Sequence, residues 1–373
     1  MIAELPDARL SPHRASSMLA QVAAQIKTKP FVPHRLITRG DSQTIGAYLW
    51  PARLRLRDET GDEERLFSVA HDTRVLARCR WQPDRLEHPT LVMWHGMEGS
   101  IASAYMLTTG DKAFRAGFNA VRVNMRNCGA TEHLTPTLYH GGMSDDLRAV
   151  LDELINGDHL SQIVIAGFSL GGNKVLKLAG EYGGASPPEL KGVCAVSPSI
   201  NLRAGCDLLM KPRNWIYQRD FLYFLKRRIK VKEKLFPSLY DSSGLQGIRT
   251  IEQFDTHFIA PAFGFENVNE YYAKASALPV MGRIRIPTLI IHAADDPFIP
   301  IDPLRDLSVT RNPYILLIET ERGGHVAFVS DEATDEDRFW AENRLIDFCR
   351  SVTANQATMV SILADNDNTE GVR

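Results

Sequence analysis

The chain has 373 residues, of which 44% are hydrophobic and 24% charged, an ordinary balance for a globular protein that buries a sizeable core in one large domain with an insertion, or in two domains. A formal net charge of −2 argues against nucleic acid as a partner and against steering of acidic substrates. Five scattered cysteines (Cys79, Cys128, Cys194, Cys206, Cys349), odd in number and without a Cys-x-x-Cys pair, argue against a disulfide scaffold and a zinc site.

No basic-then-apolar leader opens the sequence and no run of 18 apolar residues interrupts it, so a soluble cytoplasmic protein is expected. Residues 12–28 place Met18, Leu19, Val22, Ala23 and Ile26 at helical spacing, with Ser16 or Ser17 as the cap. Pro30-Phe31-Val32-Pro33-His34 is too proline-rich for either regular structure and reads as an extended arm. Gln43-Thr44-Ile45 and the basic run from Arg53 to Arg57 complete that arm.

From Arg65 the period becomes two. Leu66 to Ala70 and Val75 to Trp81 predict an antiparallel pair. Thr90 to Trp94 is an apolar strand ending in His95-Gly96-Met97-Glu98-Gly99-Ser100, followed by a helix over 103–116 with Gly117 at its C-terminal cap. Strand 120–123, the loop Asn127-Cys128-Gly129-Ala130 and a helix over 144–155 come next. Strand 163–168, a helix to about Glu181 and strand 192–196 continue the alternation. Val- and Ile-rich strands alternating with helices predict an α/β fold whose mostly parallel sheet is covered on both faces.

The alternation stops between Pro198 and Ile286, far more chain than the about 30 residues of a βαβ unit. This stretch, rich in aromatic and basic residues, predicts an inserted helical cap over the carboxyl ends of the strands. Inside it, Phe221-Leu222-Tyr223-Phe224-Leu225 precedes Lys226-Arg227-Arg228-Ile229-Lys230, which reads as a helix with an apolar and a solvated side, or as a surface for lipid headgroups. Strands 287–292 and 314–318 and a helix from about Asp335 to Arg350 complete the core. The expected organisation is an N-terminal helix and arm (1–60), a first core segment (61–198), the cap (199–286), a second core segment (287–352) and a disordered tail (353–373).

Three strand ends carry chemistry. Gly167-Phe168-Ser169-Leu170-Gly171-Gly172 sits between a strand and a helix, the context in which a serine is held on a sharp turn with its hydroxyl exposed. A serine hydroxyl needs a base to take its proton, and the base needs a carboxylate to orient it. His325, after Gly323-Gly324, is the candidate base. Asp295 and Asp296 compete as the acid; Asp296 is favoured because Asp296-Pro297-Phe298-Ile299-Pro300 has the register Asp-x-x-(Ile/Val)-Pro. The oxyanion formed on attack needs backbone N–H donors, and position points to Leu170 and Met97. His95 is expected only to shape its turn. No cofactor or metal is called for.

These stretches, together with Phe254-Asp255, Gly264-Phe265 and Tyr271-Tyr272, make the chain resemble the YheT-like, embryogenesis-associated-protein-like branch of the α/β-hydrolases over roughly residues 30–350. The resemblance implies a serine hydrolase with the triad Ser169, Asp296 and His325 acting on carboxylic esters; short- to medium-chain acyl esters are the expected substrates. Two alternatives remain: a phospholipase or monoacylglycerol lipase contacting a membrane surface through the cap, and a non-catalytic binding protein on the same fold. Relatives often carry Asn-Gly-His before the Gln-Thr where this arm has Arg39-Gly40-Asp41-Ser42, and Arg-Gly-Cys-x-Gly where the loop has Asn127-Cys128-Gly129-Ala130; neither departure touches the triad.

Overall fold

A computed structural model describes residues 10–50, 62–331 and 336–354. The basic run from Arg53 to Arg57 and the tail beyond Ala354 lie outside them. Eight strands form one sheet: β1 (Glu63–Ala70), β2 (Thr73–Arg80), β3 (Thr90–Trp94), β4 (Asn119–Val123), β5 (Ile163–Phe168), β6 (Leu190–Val196), β7 (Thr288–Ala293) and β8 (Ile315–Thr320). Their order is β1-β2-β4-β3-β5-β6-β7-β8. β2 runs antiparallel to both β1 and β4, and every other pairing is parallel.

The residue pattern explains this division. β2 alternates, with Thr73, Val75, Ala77 and Cys79 buried, as befits a strand near the sheet edge with one covered face. β3, β4, β5 and β7 are buried at every position, because helices cover both sides. On one face Val92, Trp94, Ile163 and Ile165 pack with α4 (Asp145–Asp152) and α5 (Leu170–Tyr182). On the other, Leu91, Met93, Val164 and Ala166 pack with α1 (Pro12–Thr28), α3 (Ala104–Arg115) and α10 (Trp340–Thr353). Burying each large apolar side chain in these layers contributes roughly 1.5–3 kcal/mol.

Four local expectations change. The cap of α1 is Ser11, whose hydroxyl accepts the Arg14 N–H ahead of Pro12 at the first helical position, and not Ser16 or Ser17. Among its described residues the arm is extended at its start, where Pro33 bridges Ser330, and residues 40–48 form α2 (Gly40–Tyr48). The helix after β4 ends in a π turn, Glu153–Gly157. The last helix begins at Trp340 instead of Asp335, which lies outside the described residues, and it runs on to Thr353.

Between β6 and β7 the described elements are helical: α6 (Leu202–Leu209), the long α7 (Trp215–Leu235), α8 (Ile251–Phe254) and α9 (Val268–Ala275). They share a core that includes Leu222, Leu225, Ile229, Phe254 and Tyr272. Phe298 and Ile299, from the loop after β7, belong to the same core, and Met97 and Leu170 pack against it. The inserted helices therefore rest directly on the turns that follow β3 and β5.

Candidate active site

Ser169 is the single residue between β5 and α5, with φ 53° and ψ −116°. A non-glycine residue in that region carries about 1–3 kcal/mol of strain, which persists only where the surroundings over-determine it. Here Ser169 N–H donates to Val196 O at 2.9 Å, fixing the turn to β6. Close packing supplies the rest: a Cβ at Gly167 would collide with the Gly171 carbonyl, and one at Gly171 would stand 2.5 Å from the carbonyls of Trp94 and His95. The strain aims the serine side chain at the neighbouring turn, where a Cβ on Gly96 would lie 3.1 Å from Ser169 Cβ.

The acid and the base follow β7 and β8, on the same carboxyl edge of the sheet. His325 Nδ1 donates to Asp296 Oδ2 at 2.7 Å, which leaves Nε2 as the ring nitrogen not engaged by the acid. Asp296 Oδ1 accepts the N–H groups of Phe298 and Ile299 at 3.1 and 2.9 Å. Burial pushes the Asp296 carboxyl up, but His325, His292 and the backbone N–H donors outweigh it and hold the group below the usual carboxylate range. Asp295 does a different job. Its Oδ1 accepts Gly324 N–H at 2.9 Å, tying down the glycine pair before His325, and burial pushes its carboxyl up. The geometry thus pairs the imidazole with Asp296 and not with Asp295.

Two contacts seat the histidine loop. Val326 N–H donates to Ser197 Oγ at 3.0 Å, just past the end of β6. The Phe298 ring packs on the imidazole at 4.1 Å between centroids and also lines the cavity that contains Ser169. Among the described residues no hydrogen bond joins Ser169 Oγ to His325; contacts of this kind are often long before substrate binds and tighten in the reacting complex.

The turn after β3 faces the serine from the other side. Met97 N–H and Leu170 N–H have no acceptor among the described residues, and both residues line the cavity. His95 shapes this turn as expected: Nδ1–H donates to Gly96 O at 2.7 Å and Nε2 accepts Met125 N–H at 3.0 Å. Complete burial lowers its pKa to about 3 and keeps it neutral.

Three groups of site residues escape the sequence reading. Thr44, on α2, accepts His325 N–H at 2.9 Å and itself donates to Gly40 O. Gln43 accepts Val329 N–H at 2.7 Å and donates to Val329 O at 2.9 Å, clamping the segment after the histidine. The Gln-Thr pair was the available signal, but nothing local tied it to His325. In the basic run, Arg228 turns inward: it forms an ion pair with Glu98 at 2.6 Å and donates to Asn127 O, so the run is not one solvated stripe. Asp255, Tyr272 and His140 line the cavity, together with Tyr139, Tyr271 and Ser199, as its polar minority beside Ser169.

The cavity, of about 100 Å³, is otherwise apolar and is walled by residues such as Leu209, Leu225, Ile259 and Phe298. Among the described residues no group of three or more His, Cys, Asp or Glu is placed to hold a metal ion. Among them, too, no helix is long and apolar enough to cross a membrane. All five cysteines are free and buried.

Comparison with known proteins adds to this geometry. Residues 89–332 match the family model described as alpha/beta hydrolase fold. The chain is 31% identical over 271 residues to the putative esterase YheT of Escherichia coli, covering 71% of this chain and 78% of that one. It is 27% identical to the human phospholipase ABHD3, covering 66% of this chain and 60% of that protein's length. The solved structure of the Pyrococcus furiosus esterase Pf2001 superposes over 79% of this chain and 94% of that one, with a TM-score of 0.52 at 15% identity, which is a likeness of fold.

Proposed function

The chain belongs to the α/β-hydrolase family, in its YheT-like branch, and from that premise we propose that it is a serine hydrolase cleaving carboxylic esters of short to medium acyl chains. The observation that carries the reading is the strained Ser169 at the head of α5 on the same sheet edge as a buried, backbone-anchored Asp296–His325 pair. The site-residue roles that follow are part of the proposal.

Ser169 Oγ attacks the ester carbonyl carbon while His325 Nε2 takes the hydroxyl proton. Asp296 keeps Nδ1 protonated and stabilises the imidazolium that forms. The carbonyl oxygen becomes an oxyanion and is received by Met97 N–H and Leu170 N–H, two donors without an acceptor among the described residues; one such donor is worth about 2.7–4 kcal/mol. As the C–O bond to the alcohol breaks, Nε2–H gives the proton to the leaving oxygen and an acyl-serine remains. Water then attacks the acyl carbon with His325 again as base, and collapse returns the serine hydroxyl and releases the acid. The inserted helices act as a cap: through Phe298, Met97 and Leu170 they wall the reacting bond off from bulk water.

A second reading keeps this chemistry and places the enzyme on lipid surfaces. It is motivated by the exposed apolar side chains of α7 (Trp215, Ile216 and Tyr223 are 53%, 56% and 62% exposed) and by the phospholipase name of one relative. The test is hydrolysis of p-nitrophenyl esters of graded chain length, with and without anionic vesicles. The first reading expects turnover of soluble C2–C8 esters that vesicles leave unchanged; strong activation by vesicles, with little soluble turnover, would replace it by the second. Absence of ester hydrolysis under both conditions would leave a binding protein.

A further inference from the structure

Asp255 is a carboxyl that the mechanism does not use. It opens a π-helical turn, Asp255–Ile259, that follows α8, and such turns re-aim side chains and recur at functional sites. The residue is 8% exposed, yet it lines the same cavity as Ser169. One oxygen is used within the protein: Oδ2 accepts the Tyr272 hydroxyl at 2.7 Å, and Cys206 Sγ lies 3.3 Å from that hydroxyl. Oδ1 has no hydrogen-bond donor among the described residues. Among the described residues no cation balances the group either. Arg203, stacked over the Tyr272 ring, is held by Asp207 and Glu252.

We propose that Asp255 forms a hydroxyl-recognising end of the cavity, so that the ester processed at Ser169 carries a free hydroxyl on the part of the molecule that enters it. This inference rests on the reading of Ser169 as the nucleophile. A purely structural role would need only an acceptor for Tyr272, which an amide or a hydroxyl supplies without burying an ionisable group. The free Oδ1 gives the carboxyl a second task. Burial pushes the Asp255 pKa up to about 7, which makes it a poor counter-ion, whereas a neutral hydroxyl can pair with Oδ1 by donating to the carboxylate or accepting from the protonated acid. The walls decide the same way: a cation would be stripped of water among Ile251, Ile259 and Leu209, whereas a hydroxyl loses far less hydration on entry.

The opposite half of the hydrogen-bonding requirement is present as well. His140 lines the cavity; its Nδ1 accepts Gly142 N–H at 3.1 Å, so the neutral ring carries its proton on Nε2, where no described residue accepts it. Burial and nearby cations lower its pKa to about 3, so it stays a neutral donor. Tyr271 packs against both His140 and Tyr272, whose hydroxyl donates to Asp255, so one aromatic cluster connects the donor and the acceptor. An acceptor and a donor together fit a hydroxyl, which needs both.

The experiment compares kcat/KM within two matched pairs of esters on the full chain. One pair places the hydroxyl on the alcohol half (2-hydroxyethyl against ethyl butyrate), the other on the acyl half (methyl 6-hydroxyhexanoate against methyl hexanoate). The expected result is a preference of at least tenfold for the hydroxylated member of one pair, which also tells the two sources apart. In Asp255→Asn, which keeps an acceptor for Tyr272, that ratio falls to within about threefold of unity. Equal rates within both pairs, or a ratio that Asp255→Asn leaves intact, would overturn the proposal. Fluorophosphonate labelling of the wild-type chain separates this failure from that of its premise: a labelled Ser169 without hydroxyl preference removes only the role of Asp255, while an unlabelled one removes the nucleophile.

Discussion

Replacing Arg228 by Met tests whether the inserted helices hold the oxyanion turn in place. Arg228 lies on α7, and the side chains of Arg228 and Glu98 are 8% and 5% exposed. Glu98 is the residue after Met97 and has φ 57°. Its Oε2 accepts Arg228, its Oε1 accepts the Tyr139 hydroxyl at 2.8 Å, and its own N–H donates to the Tyr139 oxygen at 3.2 Å. Removing the guanidinium leaves a buried carboxylate with one donor, a change that typically costs about 3–5 kcal/mol. The Asn127 carbonyl loses its partner at the same time. If the turn relaxes, Met97 N–H leaves the position where the oxyanion forms, and full loss of one donor lowers kcat by roughly 10²–10³. Urea unfolding should therefore show a loss of at least about 3 kcal/mol. On a short soluble ester, kcat should drop at least tenfold while KM changes little. The double variant Glu98→Gln, Arg228→Met should recover most of the stability, because no uncompensated charge remains, but not the rate. A variant within about 1 kcal/mol of wild type and with unchanged kcat would refute the latch between α7 and the turn.

Thr44→Val keeps the shape of the side chain but leaves His325 N–H without its acceptor; the expected outcome is a roughly tenfold lower kcat with KM and fold retained, read by steady-state kinetics and circular dichroism. Asp255 should depress stability at neutral pH. Its folded pKa, about 7, is raised from 3.8, so the folded state keeps a proton that the unfolded chain releases, and stability falls as pH rises from about 4 to about 7. At about 1.4 kcal/mol per unit this amounts to on the order of 4 kcal/mol. Asp255→Asn should accordingly melt several degrees above wild type at pH 8, with the difference vanishing near pH 4.

The strand ends proposed to carry the chemistry are each encoded locally. An apolar run ending in Gly167-Phe168-Ser169-Leu170-Gly171 allows little but a sharp strand-to-helix turn, and Asp296 was picked from its register with Ile299, whose N–H its carboxylate accepts. The insertion was legible from length alone. What escaped depends on partners distant in sequence. α2 contains two glycines in nine residues, a weak helix by propensity; it forms because Gly40 fits against the Asp295 backbone and Gln43 and Thr44 brace the histidine loop some 280 positions away. The inward turn of Arg228 is equally hidden, since Glu98 lies 130 positions upstream. Phe254-Asp255 stood out in the sequence only through the family resemblance, and only the π turn places Asp255 beside the cavity.

The most direct measurement is the mass of the protein after incubation with a fluorophosphonate, followed by mapping of the modified peptide. An activated hydroxyl beside free backbone donors should take up one phosphonyl group, on Ser169, with labelling abolished in Ser169→Ala and slowed at least a hundredfold in His325→Ala. No adduct, an adduct on another residue, or undiminished ester turnover by Ser169→Ala would contradict the assignment of the nucleophile.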